Sequence, residues 1–318
     1  MYVGAGTYPP GGGPPASFWR SDDADSAATF VQLGGAQVAD YCTGQCWYDN
    51  YVVTPSGHPD IVYLGGSFVY AELNGVSNAR GVLLSQNAGV DWTDQTRDAT
   101  TGAPAAGSCC NSTAVAGNSI HPDQHALVVN PNNPLQFFSG SDGGLVRSTG
   151  TLSDISSQCA ARGLTGAALT YCQGLLSAVP SQLFSLNSGL STLQFQSLSV
   201  AADNARHVQG GTQDNGTFEN TGTMTWPQII YGDGGQSGFS ASNSSRRFNT
   251  FFGQANDANF QNGDPSKWVI ISAPIISSPE SSYFYPPIIA DPHPANAGSI
   301  YQGSFSVWRT QDWGGNQA

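Results

Sequence analysis

The sequence predicts an all-β fold assembled from four-stranded antiparallel sheets that repeat along the chain. Its 318 residues include 39 glycines, 19 prolines and only 10% charged residues, a composition that suits short strands joined by many turns. A second observation is the stretch Ser85–Trp92, in which Ser, Asn, Gly and Trp have the spacing of a polar turn between two strands. A third is that eroded copies of the same pattern recur along the whole chain, which is the signature of a β-propeller.

Each marked residue of Ser85–Trp92 has a role that its chemistry explains. The side-chain oxygens of Ser85 and Asn87 can accept hydrogen bonds from backbone N–H groups and so close the turn. Gly89 can adopt a positive φ, and Trp92 can fill the sheet beneath the turn. We therefore interpret these four residues as structural.

The repeat keeps a constant order: an apolar strand, a turn with Pro, Asn or Asp, a strand ending in Gly, a Gly-rich turn, and a third strand that often ends in Arg-Ser or Arg-Thr. A weaker copy spans about residues 239–271. The clear copies begin at Tyr51, Ala126, Leu198 and Ile288. We expect about six blade units in a single domain over residues 1–318.

Neither terminal unit is whole in this interpretation. At the start, Tyr2–Gly6 and Phe18–Ser21 read as second and third strands, and at the finish the chain stops at the turn after Trp308–Thr310. Either the terminal strands share one blade, or the chain is a piece of a propeller with seven, eight or more blades. Counting strands favours the second alternative, because a shared blade would hold duplicate second and third strands.

The cysteines indicate an oxidising compartment, since there are six in a chain poor in lysine. Cys159 and Cys172 bracket a segment near residues 153–179, where Ala, Leu and Gln predict a short helical insertion, so a bridge between them is the simplest pairing. The remaining four could link crosswise or hold a zinc ion, although adjacent cysteines suit tetrahedral coordination poorly. They are Cys42, Cys46, Cys109 and Cys110.

Charge and hydropathy exclude two classes of partner. The net charge is −12 with only 10 Lys plus Arg, whereas a nucleic-acid phosphate backbone requires clustered cations. No run approaches the roughly 20 apolar residues that cross a bilayer. We therefore expect no nucleic-acid partner and no membrane span. Together with the cysteines, this predicts an extracellular protein, secreted or at a cell surface.

The pattern Ser85-x-Asn-x-Gly-x-x-Trp92 resembles the Asp-box, or bacterial neuraminidase repeat. That repeat occurs in sialidases, in xyloglucanase-type glycoside hydrolases, in sortilin-like receptors and in many uncharacterised secreted propellers. Other phrases, such as Ser141–Gly144 and Gly210–Gly216, are similar to the uncharacterised branch. The resemblance is specific for the fold, and one fold hosts unrelated activities.

The resemblance implies a different site for each relative. A sialidase site implies three arginines, a Tyr nucleophile with a Glu partner and an Arg-Ile-Pro, but arginine is scarce here and no Arg-Ile-Pro occurs, so sialidase activity is disfavoured. A xyloglucanase-type site implies two aspartates acting as general acid and base across a groove. This chain has aspartates in suitable turns, but it is less than half the length expected of those two-propeller enzymes.

Blade topology places the candidate carboxylates at one rim. Loops from second to third strands, and loops between blades, open on the face opposite the Ser85–Trp92 type of turn. A pair of carboxylates there could protonate a glycosidic oxygen and activate water. The candidates are Asp49 and Asp214 first, with Asp142 and Asp233 as alternates. The competing interpretation is that each aspartate, beside glycine, only closes its turn.

Two further groups of residues accompany these carboxylates. His121, Asp123 and His125 alternate along the chain, so an extended backbone would project all three to one side as a metal site or a general base. The alternative places His125 in the core and leaves His121 exposed. Calcium held by Asp and backbone carbonyls in Gly-rich loops is a further candidate. The predicted substrate-binding residues are Trp47, Tyr48, His121, His125 and Gln213.

Two functional hypotheses follow from these features. The first is a secreted propeller that binds a polysaccharide or glycoconjugate, with glycoside hydrolysis by the rim aspartates as a candidate activity. The second is a noncatalytic structural or protein-interaction module that contacts other subunits or the remainder of a longer chain. A catalytic site predicts a carboxylate with a raised pKa facing a pocket, whereas a structural module predicts the same aspartates bonded into turns.

Overall fold

The structure is a computed structural model that describes residues 1–6, 16–70, 72–101, 119–190 and 193–315. It divides into two compact units, Met1–Leu190 and Ser191–Ala318, which are described separately here. Cys109 and Cys110 lie outside the described residues. The prediction of a single domain over residues 1–318 stays a prediction.

The described residues of the first unit form three antiparallel sheets of blade type and one short ribbon. A three-stranded sheet is formed by β1 (Tyr2–Ala5), β2 (Ser17–Arg20) and β3 (Val31–Leu33). The next sheet has β4 (Tyr51–Val53), β5 (Val62–Gly65), β6 (Val82–Ser85) and β7 (Thr93–Asp94). The third has β8 (Gln124–Asn130), β9 (Asn133–Ser141), β10 (Gly144–Ser148) and, beyond the ribbon of β11 (Leu152–Ser153) and β12 (Val179–Pro180), β13 (Leu183–Ser185).

The second unit is built from three more sheets. The first has β14 (Phe195–Ala201), β15 (Asn204–Thr212), β16 (Gly216–Asn220) and β17 (Gln228–Ile230). The second has β18 (Ser237–Phe239), β19 (Arg247–Thr250), β20 (Asn256–Asn259) and β21 (Trp268–Ile270). The third has β22 (Ile288–Ala290), β23 (Ile300–Gly303) and β24 (Val307–Thr310).

Helices are short in both units. Four-residue helices are α1 (Gly35–Val38), α2 (Gln158–Ala161) and α4 (Ala273–Ile276), and α3 (Gly166–Leu176) has eleven residues. Single 3₁₀ turns occupy Thr43–Gln45, Glu72–Gly75 and Pro294–Asn296. The fold class predicted from the sequence is confirmed: the chain is nearly all β, and its sheets are the antiparallel meanders from which β-propellers are built.

The helical insertion and its disulfide are confirmed. Helices α2 and α3 fall within residues 153–179, and Cys159 is bonded to Cys172. A second disulfide joins Cys42 to Cys46. For Cys42 and Cys46, the crosswise pairing and the zinc alternative are therefore both wrong, because each sulfur forms one disulfide and a metal ligand must be a free thiolate.

The turn at Ser85–Trp92 has the predicted hydrogen bonds. Ser85 Oγ accepts from the N–H of Gly89 at 2.8 Å, and Asn87 Oδ1 accepts from the N–H of Asp91 at 2.9 Å. Gly89 has a φ of 89°, and the fully buried Trp92 donates from Nε1 to the carbonyl of Gly89. The turn joins the third and fourth strands of its sheet, as expected.

The same turn closes the other unit after β24. Thr310 Oγ1 accepts from the N–H of Gly314 at 2.8 Å, and Asp312 Oδ1 accepts from the N–H of Gly315 at 3.0 Å. Trp313 is fully buried beneath it, against Phe248, Ile288 and Ile300. The spacing of Trp313 differs from that of Trp92, and this core tryptophan was missed in the sequence.

The weaker copy expected at about residues 239–271 is confirmed, because β18–β21 form a complete four-stranded sheet. Trp226, after β16, is 38% exposed and packs beside Phe195.

Candidate functional site

The structure brings the rim residues of the first unit together around His125. Asp49 follows the 3₁₀ turn before β4, and Asp142 lies in the two-residue turn between β9 and β10. His125 Nδ1 lies 3.2 Å from Asp49 Oδ1, and its Nε2 contacts Asp142 Oδ1. We call Asp49, His125 and Asp142 the carboxylate–imidazole cluster.

Burial distinguishes the two carboxylates of this cluster. Asp49 is fully buried, whereas the side chains of Asp142 and His125 are 23% and 38% exposed. The imidazole ring lies between the carboxylates and contacts both. In this arrangement Asp49 can orient the imidazole, while His125 and Asp142 are the groups that an incoming molecule can reach.

The disulfide loop positions Asp49. Cys42 and Cys46 bracket the 3₁₀ turn Thr43–Gln45, and the N–H groups of Tyr48 and Asp49 donate to the carbonyl of Gln45 at 3.0 Å. The Gln45 side chain also reaches across to Asp123, donating from Nε2 at 2.9 Å. A local covalent loop thus fixes one wall of the site.

A second group lies beside the cluster. One ligand atom from each of His121, Asp123 and Asp142 falls within 4.8 Å of the others. His121 and Asp123 are buried, and Asp123 Oδ1 also accepts from Ser67 Oγ at 3.2 Å. The set differs from the predicted one, because Asp142 takes the place assigned to His125.

A β-bulge at His125 interrupts the alternation expected for His121, Asp123 and His125. Gln124 pairs with Ser141 and Ala126 pairs with Gly140, so His125 is an extra residue without a direct partner in the register. Such a bulge re-aims a side chain and breaks simple alternation. The alternative that places His125 in the core and exposes His121 is wrong, since His121 is 8% exposed and His125 is on the surface.

Exposed aromatic rings continue the rim. Trp47 and Tyr48 are 56% and 37% exposed, and their ring centroids are 4.3 Å apart. Tyr48 also stacks on His125 at 5.8 Å, and its hydroxyl donates to Gln45 Oε1. The three rings make a continuous surface next to Asp142.

The second unit places its two predicted aspartates together in a different way. The N–H of Asp214, in the β15–β16 turn, donates to Asp233 Oδ1 at 3.4 Å, and Tyr285 OH donates to the same oxygen at 2.9 Å. Asp214 has a φ of 60°, which a non-glycine residue adopts mainly in tight turns. Gln213 is exposed in the same turn.

Close backbone packing holds this second group. A Cβ at Gly211 would lie 2.3 Å from the carbonyl oxygen of Gly235, so only glycine permits the approach. Burial raises the pKa of Tyr285, and the neighbouring carboxylates of Asp233 and Asp214 raise it further. Tyr285 is thus a neutral donor at ordinary pH, and sequence reasoning did not single it out.

Two carboxyl groups outside the predicted rim have raised pKa values. Burial raises the pKa of Asp94, in β7, to about 6, although hydrogen bonds from Thr96 oppose the shift. Burial also raises the pKa of Asp257, in β20, to about 6. Neither residue was a candidate in the sequence, because both lie within strands rather than in Gly-rich loops.

Comparison with known proteins yields likeness of fold alone. No family model matches the chain, and no curated protein matches it. Among solved structures, a GH74 xyloglucanase from Xanthomonas campestris is 12% identical with a TM-score of 0.33, over 98% of this chain and 43% of that one. A GH74 enzyme from Niastella koreensis is 14% identical with a TM-score of 0.33, over 98% and 45%.

A third similar structure is that of YCF48. YCF48 from Cyanidioschyzon merolae is 10% identical with a TM-score of 0.27, over 92% of this chain and 75% of that one. This chain spans less than half the length of the two GH74 enzymes. At such identities and TM-scores, these likenesses say nothing about what this chain binds.

The described residues include no helix that is both long and apolar enough to cross a membrane.

Proposed function

We propose that this chain is an extracellular β-propeller protein that binds a polysaccharide or glycoconjugate at the rim of its first unit. The observation that carries the proposal is the continuous surface of Trp47, Tyr48 and His125 beside the partly exposed carboxylate of Asp142. Aromatic faces stack on the apolar faces of sugar rings, and carboxylates accept hydrogen bonds from hydroxyl groups. Two disulfides support an oxidising compartment.

The turn geometry supports assignment to the Asp-box class of propellers. Ser85 and Thr310 play the same part in the two units, each accepting a hydrogen bond from a glycine four residues later. We include this class in the proposal because the two turns share this hydrogen bond.

The second part of the proposal is glycoside hydrolysis, and the geometry indicates which residues could take part in it. Asp49 is fully buried and touches His125, so it would act through the imidazole and not on a substrate. His125 and Asp142 are the groups within reach of a glycosidic oxygen or an attacking water. Asp214 and Asp233 keep the interpretation in which they close turns, because a backbone N–H and a tyrosine hydroxyl bind Asp233.

A glycan array tests the binding proposal. Native protein should bind at least one glycan class, and Trp47→Ala should lose most of that binding. Phe30→Ala is the matched control, because Phe30 is also exposed in the first unit and lies outside the rim. Equal binding by both variants, or no glycan binding by the native protein, would overturn the proposal.

A reducing-end assay on the bound glycans then tests hydrolysis. Native protein should release new reducing ends, and Asp142→Asn should abolish the release. Asp22→Asn is the control, because Asp22 is an exposed carboxylate paired with Arg20. Undiminished release by Asp142→Asn would remove this residue from any catalytic role.

The alternative function is a noncatalytic interaction module. It is favoured by a groove of about 380 Å³ in the second unit, where Leu198, Val200 and Ile289 expose apolar side chains. Absence of glycan binding in the array would leave this alternative as the better account.

A further inference from the structure

We propose that His121, Asp123 and Asp142 bind a divalent transition-metal ion of the zinc class. Their ligand atoms already lie within 4.8 Å of one another. Zinc binds imidazole nitrogen and carboxylate oxygen at about 2.0–2.2 Å, so tetrahedral ligand atoms lie roughly 3.4 Å apart. A modest inward movement of these side chains would bring their three ligand atoms to this separation and fill three of the four positions of such a site.

The carboxylates of the proposed metal site are already oriented by neighbours. Asp123 Oδ1 accepts from Gln45 Nε2 and Ser67 Oγ, and Asp142 Oδ1 contacts His125 Nε2. In metal sites the ligating carboxylates are held by outer hydrogen bonds of this kind, and those partners contribute to affinity. The carboxylate–imidazole cluster thus becomes the outer support of the metal site.

Glycine at position 143 permits the approach of the third ligand. A Cβ on Gly143 would lie 2.7–2.8 Å from three atoms of the His121 side chain, which is closer than packed atoms allow. The turn that carries Asp142 therefore lies directly against His121. This packing brings a ligand from the β9–β10 turn to one from the segment before β8.

The donor set selects the class of metal. Calcium takes six to eight oxygen ligands, whereas an imidazole with two carboxylates suits zinc and related transition metals. The two aspartates would balance a charge of +2, and a cation between them would remove their mutual repulsion. Three protein ligands leave a position for water or for an oxygen of a bound molecule.

The metal can be tested without any glycan, so this inference does not rest on the proposed function. Chelator-treated, folded protein would be titrated with Zn²⁺ and, separately, Ca²⁺ by calorimetry, and bound metal would be counted by mass spectrometry. We expect one Zn²⁺ per chain and no comparable Ca²⁺ binding. No Zn²⁺ binding, or binding of Ca²⁺ alone, would overturn the inference.

Variants identify the ligands. His121→Ala and Asp123→Asn should weaken Zn²⁺ binding by more than the roughly 10–100-fold that loss of an outer partner costs. His58→Ala is the matched control in the same unit and should bind Zn²⁺ as the native protein does. Unchanged affinity in both ligand variants, or an equal loss in His58→Ala, would assign the ion to another place.

The variant Gly143→Ala provides a second test in case the ligand variants His121→Ala and Asp123→Asn fail to fold. It keeps all three ligands and displaces the His121 ring, so we expect weaker Zn²⁺ binding with a cooperative thermal transition retained. Unchanged Zn²⁺ affinity in this variant would contradict a site between the β9–β10 turn and His121. Glycan binding by the native protein together with a Zn²⁺ titration that detects no metal would overturn only the metal inference, whereas Zn²⁺ binding without glycan binding would overturn only the proposed function.

Discussion

The sheet that begins with β8 in the first unit and the sheet that begins with β14 in the second unit have a bulge at the same place in their first strand. They differ in the residue that occupies the bulge. In β8 the extra residue is His125, opposite Ser141 and Gly140, and in β14 it is Gln196, opposite Thr212 and Gly211. Each bulge faces the start of a turn that carries an aspartate. The scaffold is therefore shared, and the chemistry depends on which side chain the bulge presents.

The surroundings of the two aspartates enlarge this difference. Asp142 contacts an imidazole and lies near a second one, whereas the N–H of Asp214 donates to Asp233, which also accepts from Tyr285. An imidazole can exchange protons and bind metals near neutral pH, while a phenol with a raised pKa stays protonated and neutral there. The first unit thus combines imidazole and carboxylate groups at its rim, whereas the second unit combines a phenol with carboxylates.

The shared scaffold gives the largest expected effect. Trp92→Ala and Trp313→Ala should each lower the free energy of unfolding by about 3–5 kcal/mol, because both indoles are fully buried beneath equivalent turns. Urea denaturation measures the loss, and Phe30→Ala should change it by less than about 0.5 kcal/mol. A small cost in one tryptophan variant alone would break the equivalence of the two units.

The next largest effect should come from reduction of the disulfides, which should destabilise one unit and leave the other unchanged. All six cysteines precede residue 191, so a thiol reductant should destabilise only the first unit. Opening the Cys159–Cys172 bridge, which spans 13 positions, should cost about 3 kcal/mol, and opening Cys42–Cys46 should cost less. Hydrogen exchange with and without reductant would report each unit, and equal loss of protection in residues 193–315 would contradict the expectation.

The next largest expected effect on stability is a pH dependence that both units share. Because burial raises the pKa of Asp94 and Asp257 from 3.8 to about 6, the folded chain holds these protons more tightly than the unfolded chain. The free energy of unfolding should therefore fall as pH rises from about 4 to about 6, by on the order of 2–3 kcal/mol per residue, and level off above that.

The asparagine variants of these two residues provide the check. Asp94→Asn and Asp257→Asn should each flatten the decline between pH 4 and pH 6 in denaturation curves. The amide oxygen introduced by Asp94→Asn would still be able to accept the 2.8 Å hydrogen bond that the N–H of Thr96 donates to Asp94 Oδ1. A slope identical to that of the native protein in both variants would show that other groups control it.

The exchange of one bulge residue gives the smallest effect on stability and the sharpest test of the comparison. His125→Gln gives the first unit the residue that the second unit has at Gln196. We expect a change in stability below about 1 kcal/mol and a loss of about 10–100-fold in Zn²⁺ affinity, since an outer partner of Asp142 is removed. Zn²⁺ affinity equal to that of the native protein would mean that the bulge residue does not set the difference.

The sequence predicted strands and turns well because their determinants are local. Ser85 Oγ accepts from the backbone N–H groups of Asn87 and Gly89, all within four residues, so the turn could be recognised without its surroundings. The Cys159–Cys172 bridge was likewise predicted from a short intervening segment. The full sheet β18–β21 was underrated because its polar strands, such as Asn256–Asn259, lack the apolar alternation that marks a strand.

The candidate site was predicted only in part. Loop topology placed all four aspartates at one rim, with Asp49 and Asp214 as first candidates. In the structure His125 contacts both Asp49 and Asp142, and the N–H of Asp214 donates to Asp233, while the roles of these residues stay predictions. Gln45, Ser67 and Tyr285 were missed because they belong to no motif and acquire partners only through folding. These partners come from segments 22 to 78 positions away for Gln45, a separation that no spacing rule describes.

The sequence by itself determined the class of fold, the turn chemistry and the rim loops on which acidic side chains lie. Only the tertiary structure decided that His121 is buried, that a bulge turns His125 toward Asp49 and Asp142, and that Asp49 is inaccessible to a ligand. Turns depend on hydrogen bonds between near neighbours, whereas the burial and orientation of these side chains depend on the packing of distant segments.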